Sequence, residues 1–194
     1  NIISNLQFSI FGTYQKLSSA SEENFLIAYQ NPKTGDVIHE YDNFYTGAQL
    51  SFTPHRKVFG YGVEQRYGKK LFPLYTLKYS KGVDGVINSK FDYDKVQMML
   101  YKPIPLFGYG IFHANIEAGK VFGTAPLIAL APTPANQSYS SAPNTFALLD
   151  YYDFITDTYI NGYFEHHFDG FLFNRIPFLQ KTRFKSLIFG RFAY

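Results

Sequence analysis

The sequence predicts an all-β protein that forms part of an antiparallel transmembrane β-barrel, and three observations lead to this prediction. Apolar and polar side chains alternate along much of the chain with a period of two, the spacing of side chains on opposite faces of a strand. Phe and Tyr make up 20% of the 194 residues, and aromatic residues favour strands. No stretch is suited to a transmembrane helix, so a chain that spans a bilayer has to do so as a closed barrel.

Six segments alternate clearly enough to predict strands. They are Asn5–Gln15, Phe44–Thr53, Pro73–Lys81, Gly110–Lys120, Thr158–Phe168 and Arg183–Tyr194. In the first, for example, Leu6, Phe8 and Ile10 alternate with Gln7 and Ser9. Several of these segments are ten to twelve residues long, whereas strands average about five or six residues in soluble sheets and about ten in membrane barrels. Their length therefore favours a membrane barrel.

Weaker alternation predicts further strands at Asn24–Gln30, Val58–Arg66 and Phe91–Tyr101. The last of these changes phase at Asp94–Val96, which predicts a bulge. About eight or nine strands result, with no amphipathic helix between them. The intervening stretches are rich in Gly, Pro, Asn and Asp, as in "NPKTGD" (31–36), and these residues are typical of turns.

Two architectures share this alternation, because it does not show which face is buried. A soluble sandwich or small barrel directs its apolar side chains inward, whereas an outer-membrane barrel directs them toward lipid and its polar side chains toward the lumen. Aromatic residues gather near strand ends, as at Tyr41 and Phe44, which is typical of an interfacial girdle. We expect four apolar residues to be exposed to lipid: Ile160, Phe164, Phe184 and Ile188. The alternative is a soluble, secreted all-β domain that binds carbohydrate or peptide.

Composition excludes several classes of partner and site. The chain has 18 basic and 15 acidic residues, a net charge of +3, and because the basic residues are scattered we expect no nucleic-acid partner. Cysteine is absent, which excludes disulfides and thiolate metal sites. The chain begins at Asn1 without a signal peptide and stops at Tyr194 within a predicted strand. We therefore expect a piece of a longer precursor and an incomplete barrel within one domain, residues 1–194.

A long loop is predicted at 121–156, between two clear strands. Its first 29 residues, Val121–Leu149, include four prolines and no Asp, Glu, Lys or Arg. The prolines exclude a long helix or a central strand, and irregular backbone has to avoid the hydrocarbon. A segment without charges enters a confined interior at a lower desolvation cost. We expect "PLIAL" (126–130) to anchor the loop inside the barrel and "NQSYSS" (136–141) to contact Glu117 or Glu165; an external loop is the alternative.

Polar residues of two predicted strands are the candidates for lining the lumen. The six lumen-facing candidates are His113, Asn115, Glu117, Asn161, Glu165 and His167. Glu165 and His167 share one strand face, and carboxylate with imidazole suits a divalent metal. Polar residues line barrel lumens without binding anything, however, so we expect no metal and no cofactor. No Ser has the nearby His and acid that a hydrolase needs, so no catalytic residue is predicted.

Three stretches carry a resemblance to a known family. They are "YTGAQLSFTPHRKVFGYGVEQRYGKKLFPLYTLKYSKGV" (45–83), "IEAGKVFGTAPLIALAPTPANQSYS" (116–140) and "NTFALLDYYDFITDTYINGYFEHHFDGFLFNRIPFLQKTRFKSLIFGRFAY" (144–194). Together they resemble the C-terminal part of a family of uncharacterised outer-membrane barrel proteins of Bacteroidetes-type bacteria. That domain of unknown function usually follows a carboxypeptidase-regulatory-like domain. The resemblance implies a location in the bacterial outer membrane of a Gram-negative cell, surrounded by a lipid bilayer.

A second resemblance is to the BamA-like superfamily of outer-membrane assembly and translocation barrels. The order "EAGKVFG", uncharged loop, "YFEHHF" and "NRIPFL" is similar to a strand, a loop folded into the lumen, and a strand with an inward Glu. The superfamily's loop carries an Arg-Gly motif, and Val121–Tyr152 contains no Arg. We expect a non-enzymatic scaffold, transport or envelope-biogenesis component that works with other outer-membrane or periplasmic proteins.

Overall fold

Seven long strands form one antiparallel sheet. A computed structural model of the chain describes residues 5–18, 29–30, 34–59, 66–67, 71–138, 140, 142–147, 149–182 and 184–194. The long strands are β1 (Leu6–Ser18), β2 (Glu40–Phe52), β3 (Leu74–Gly82), β4 (Asp92–Leu106), β5 (Gly110–Thr124), β6 (Thr158–His167) and β7 (Leu187–Ala193). Their order in the sheet is their order in the chain, and each pairs antiparallel with its neighbours. The sheet is therefore a meander.

The remaining regular structure is short, which confirms the all-β prediction. Four two-stranded ladders join Tyr29–Gln30 with Val37–Ile38, Val58–Phe59 with Arg66–Tyr67, Ala131–Pro132 with Ile155–Thr156, and Ala135–Asn136 with Phe146–Ala147. The helical elements in the described residues are single 3-10 turns at Leu127–Ala129, Phe173–Arg175 and Gln180–Thr182. Within that same part of the chain, no helix has the length and apolar character needed to cross a bilayer.

The register of the ladders divides the strand residues between two faces, because directly opposed residues of antiparallel strands point the same way. On one face, two adjacent rows contain glycine, apolar and tyrosine side chains alone, and we call it the apolar face. The first row is Leu6, Phe52, Tyr75, Leu100, Ile116, Gly162 and Phe192, and the second is Phe8, Leu50, Leu77, Met98, Ala118 and Ile160.

The opposite face, which we call the polar face, carries amides, hydroxyls and charges in the corresponding rows. One row is Gln7, Ser51, Thr76, Met99, Glu117, Asn161 and Ala193, and the next is Ser9, Gln49, Lys78, Gln97, Gly119 and Tyr159. Across the width of the sheet, the rows on one face are therefore apolar and the matching rows on the other face are largely polar.

Burial does not separate an apolar interior from a polar surface: the covered side of the sheet is the polar face, where a small apolar cluster is also buried. The main buried cluster consists of Tyr41, Phe91, Tyr93, Val121 and Ala129, and its strand residues belong to the polar face. On the apolar face large side chains are exposed, Ile188 to 63%. Three of the four residues expected to be exposed are exposed: Ile160, Phe184 and Ile188. Phe164 is half-buried, because the rings of Phe112 and Phe192 stack against it at 6.1 and 6.2 Å.

All six clearly predicted strands are present, with longer or shorter ends. β1 continues past Gln15 to Ser18, and β2 begins four residues before Phe44. Of the weaker candidates, Asn24–Gln30 lies mostly outside the described residues, where only Tyr29–Gln30 is a strand. Of Val58–Arg66, residues 60–65 lie outside the described part of the chain, and the two described ends pair with each other in a small ladder.

The bulge predicted at Asp94–Val96 is wrong. β4 pairs with β5 without interruption from Asp92 to Leu106. The change of phase has another cause: Phe91 and Tyr93 are apolar but belong to the buried cluster on the polar side, whereas Val96 and Met98 lie on the apolar face. The pairing of β4 is therefore regular throughout, and only the burial of its side chains changes along the strand.

The structure also sets the ends of the long loop and the edges of the sheet. Val121–Thr124 continues β5 in register with Asp92–Lys95, and the Val121 side chain is buried there. The connection therefore runs from residue 125 to residue 157.

β1 and β7 are the two edges of the sheet, and no ladder in the described part of the chain joins them. The structure thus shows an antiparallel sheet.

Candidate functional site on the polar face

Residues 125–157, which we call the covering loop, fold back over the polar face. Lys95 donates a hydrogen bond from Nζ to the carbonyl oxygen of Ala129 at 2.7 Å, and Ala129 packs in the buried cluster. Farther along the loop, the ring of Phe146 lies 5.7 Å from that of Tyr163 in β6. The loop therefore packs against the polar face at both positions, and the prediction that it packs against polar strand faces is confirmed. Whether this face lines a lumen stays a prediction.

The loop keeps its irregular path through short ladders that tolerate proline. The Thr133 amide donates to the Phe154 carbonyl at 2.9 Å, and the Phe146 amide donates to the Pro134 carbonyl at 2.7 Å. The prolines therefore sit where their carbonyls accept and no amide donor is needed. Within "PLIAL", Pro126 and Ala129 are buried, whereas Leu127 and Ile128 are exposed.

The partners predicted for "NQSYSS" are wrong in the described residues. Asn136 Nδ2 donates to the Ser140 carbonyl at 2.8 Å, and Ser138 Oγ donates to Asn136 Oδ1 at 2.6 Å. Gln137 bonds to Asp150 within the same loop. Short polar side chains reach their own backbone more easily than a distant strand. Tyr139 and Ser141 lie outside the described residues.

A cleft of 490 Å³ lies between the covering loop and the polar face. Its sheet wall is polar and consists of Lys95, Gln97, Glu117, Tyr159 and Asn161. Its loop wall is largely apolar and includes Pro132, Pro134, Leu149 and Phe154. The Gln97 amide donates to the Tyr159 hydroxyl at 3.1 Å across the polar wall. The cleft therefore has one polar and one largely apolar wall.

All six predicted candidates point to the polar face, in two groups. In the first, the His113 and His167 rings are 5.0 Å apart, and His167 Nε2 lies 3.3 Å from Glu165 Oε2. In the second, Asn115 Nδ2 donates to Glu117 Oε1 at 3.0 Å, and Asn161 is the direct cross-strand neighbour of Glu117.

These groups form hydrogen-bonded pairs. Tyr101, which the sequence analysis did not single out, holds His113 Nδ1 through its hydroxyl at 2.8 Å. No set of three His, Asp or Glu side chains among the described residues is arranged to hold a metal ion. The arrangement therefore supplies a polar wall of fixed shape.

Arg191 is a second site residue, after Tyr101, that is absent from the six predicted candidates. It projects from β7 onto the polar face, where it is the cross-strand partner of Tyr163. One guanidinium nitrogen donates to the carbonyl of Thr145 in the covering loop, and another lies 4.0 Å from Glu165. In the alternation of Arg183–Tyr194, Arg191 falls on the polar side of the strand. This position in the alternation is the sequence signal that indicates its face.

One row of the polar face holds unused hydrogen-bonding capacity. Asn115, Tyr163 and Arg191 are consecutive cross-strand neighbours. Asn115 Oδ1, the Tyr163 hydroxyl and Arg191 Nε are buried without a hydrogen-bond partner. Buried polar atoms of this kind are rare in a protein interior, so this row marks the most polar part of the site.

Sequence comparison gives the family of the chain. Residues 13–194 match the model described as "Family of unknown function (DUF5686) C-terminal domain". The chain belongs to this family. The match begins inside β1 and continues through β7, so the covering loop and most of the sheet lie within the matched region. No curated protein and no solved structure matches the chain.

Proposed function

We propose that this DUF5686 C-terminal domain is part of a β-barrel in the outer membrane of a Gram-negative bacterium. Its apolar face is in contact with lipid, and its polar face lines a lumen occupied by the covering loop. The observation that carries the proposal is the inversion of the two faces. The two apolar rows are unbroken, and the second is exposed at Phe8, Leu50, Leu77, Met98 and Ile160, while charges and amides lie on the side that is covered. In water such a surface favours association or aggregation, whereas in a bilayer it is the favourable arrangement.

Strand length and charge position support the proposal. β1 to β6 contain between 9 and 15 residues, and about 9–11 residues of a tilted strand cross a bilayer. Charges on the apolar face lie beyond the two apolar rows, and some of them are ion-paired. Lys81, for example, lies 2.8 Å from Asp92 and 3.0 Å from Asp94. A band without charges is left between the two ends of the sheet.

We further propose a non-enzymatic role as a scaffold, transport or envelope-biogenesis component that works with outer-membrane or periplasmic proteins. Several titratable groups of the polar face are engaged in hydrogen bonds: Lys95 with the loop, His113 with Tyr101, and His167 with Glu165. The order of a strand, a covering loop and a strand with inward Glu165 supports the resemblance to BamA-like barrels. Arg191 reaches the loop from the sheet, whereas that superfamily places an Arg in the loop.

Spin labels on neighbouring residues test the orientation of the two faces. The chain has no cysteine, so single replacements such as Leu77→Cys, Met98→Cys and Ile160→Cys can be labelled cleanly. Lys78→Cys, Gln97→Cys and Asn161→Cys are their matched controls, one residue away on the polar face. In bilayers, we expect the first set to collide preferentially with oxygen and the second with a water-soluble nickel complex. Preferential collision of the first set with nickel, or a folded monomer in water without detergent, would favour the soluble binding domain.

A further inference from the structure

The two ends of the sheet carry opposite charge. Because the strands form a meander, the connections 19–39, 83–91 and 125–157 belong to one end. The connections 53–73, 107–109 and 168–186 belong to the other. Among the described residues, the first set contains five acidic residues and one basic residue, and the second contains six basic residues and one acidic residue. We call these the acidic end and the basic end. A net charge of +3 for the whole chain conceals this separation.

The basic end also exposes large apolar side chains. Phe107, in the turn between β4 and β5, is 96% exposed, and Phe178, between β6 and β7, is 84% exposed. These two residues flank a small ordered cluster, in which the Tyr109 and Phe171 rings are 4.8 Å apart and the Arg175 guanidinium lies 4.0 Å from the Phe171 ring centroid. Cations and exposed rings are thus interleaved on one folded surface.

We propose that the basic end docks on the headgroups of a leaflet rich in anionic phospholipid. Aromatic side chains are favoured at the boundary between headgroups and acyl chains, and basic residues beside them attract anionic headgroups. The acidic end is repelled by the same headgroups, so the difference in charge orients the sheet across the bilayer. This inference rests on the proposed membrane location and adds to it the lipid class and the direction of the chain.

The test measures lipid selectivity in reconstituted bilayers. Electron paramagnetic resonance detects the fraction of spin-labelled lipid immobilised by the protein, for phosphatidylglycerol and for phosphatidylcholine. We expect phosphatidylglycerol to be preferred, and the preference to fall at 1 M salt because exposed charges are screened. The triple variant Arg175→Gln, Lys181→Gln, Lys185→Gln should reduce the preference at least about threefold.

A matched triple variant separates this effect from a loss of net charge. Lys16→Gln, Lys90→Gln and Lys120→Gln remove the same charge toward the acidic end, from exposed side chains, and should leave the preference within experimental error. Equal immobilisation of both lipids, or an equal loss in the two triple variants, would overturn the inference while leaving the membrane location intact. If neither lipid is immobilised, both proposals fail. The salt dependence of the unmodified chain remains decisive even if a variant folds poorly.

Discussion

Arg191 connects the wall of the sheet to the covering loop through one side chain. Its guanidinium donates to the Thr145 carbonyl, lies at the limit of an ion pair with Glu165, and stacks on Phe189 at 4.7 Å. Its side chain is only 12% exposed. A buried cation is tolerated when it is hydrogen-bonded and faces an opposite charge, and the loop carbonyl supplies one of these contacts. The loop therefore contributes to the stability of the sheet interior.

Replacing this residue should release the loop. For Arg191→Gln in detergent micelles, we expect a loss of about 1.5–3 kcal/mol in the free energy of unfolding, the usual contribution of a hydrogen bond to a charged group. Proteolysis within 142–147 should also become faster. Lys120→Gln removes the same charge from an exposed position on the other face and should change stability by less than about 0.5 kcal/mol. Equal urea midpoints for the two variants would contradict this role.

Two glycines on the apolar face provide a sharper comparison of packing. A Cβ added at Gly162 would overlap the ring of Phe192, whereas one added at Gly190 meets nothing within 4 Å. We expect Gly162→Ala to cost about 1–3 kcal/mol, because overpacking displaces the ring, and Gly190→Ala to be neutral or slightly stabilising, by up to about 1 kcal/mol. Thermal or urea unfolding of the two variants measures the difference. Similar midpoints would show that Phe192 does not rest on Gly162.

At the scale of elements, the covering loop behaves as part of the interior. Its docking predicts that proteinase K spares the segment between Thr133 and Asn144 in the folded protein. The segment around Phe178, which is largely exposed, should be cut first and serves as the internal reference. Lys95→Met removes the hydrogen bond to Ala129 and should speed cleavage of the loop. Rapid cleavage between Thr133 and Asn144 in the unmodified protein would instead indicate a loop exposed outside.

The elements were largely predictable from sequence because each strand carries its own alternation. β1 and β5 extend beyond their predicted ends, because pairing with β2 and β4 continues where the alternation weakens. The error at Asp94–Val96 has a tertiary cause, since no local pattern shows that the covering loop buries Tyr93. The partners of Asn136 and Ser138 are local instead, and the tendency of short polar side chains to bond nearby groups of their own segment is a sequence signal for them. Arg191 shows the limit most clearly: its face followed from parity, but its contact with Thr145 depends on where the loop docks.

For the molecule as a whole, alternation leaves open which face is covered, and the docking of the covering loop shows that it is the polar face. The two methionines of the chain are neighbours on opposite faces. Met98 lies in an exposed apolar row, and Met99 is opposed to Glu117 on the polar face. In bilayers, we expect Met98→Arg to cost about 2–4 kcal/mol if Met98 lies near the midplane.

Met99→Arg is the matched control for this substitution. The new guanidinium would face the Glu117 carboxylate, so we expect a cost below about 1 kcal/mol. The free energy of unfolding in lipid vesicles measures both variants. A greater loss for Met99→Arg than for Met98→Arg would mean that the apolar face is not in contact with lipid.

The meander has a consequence for the order in which the molecule assembles. Each strand pairs with the next one along the chain, so hairpins can form one after another, and closing short loops costs little entropy. The longest connection, 125–157, separates β5 from β6, so this pairing must wait for that segment to fold back. If further strands close the sheet, a loop that already packs on the polar face is enclosed with it, whereas a loop that docks later has to enter a narrower space. We therefore expect docking of the covering loop to precede closure of the barrel, and a variant with a loosened loop to accumulate as an open sheet.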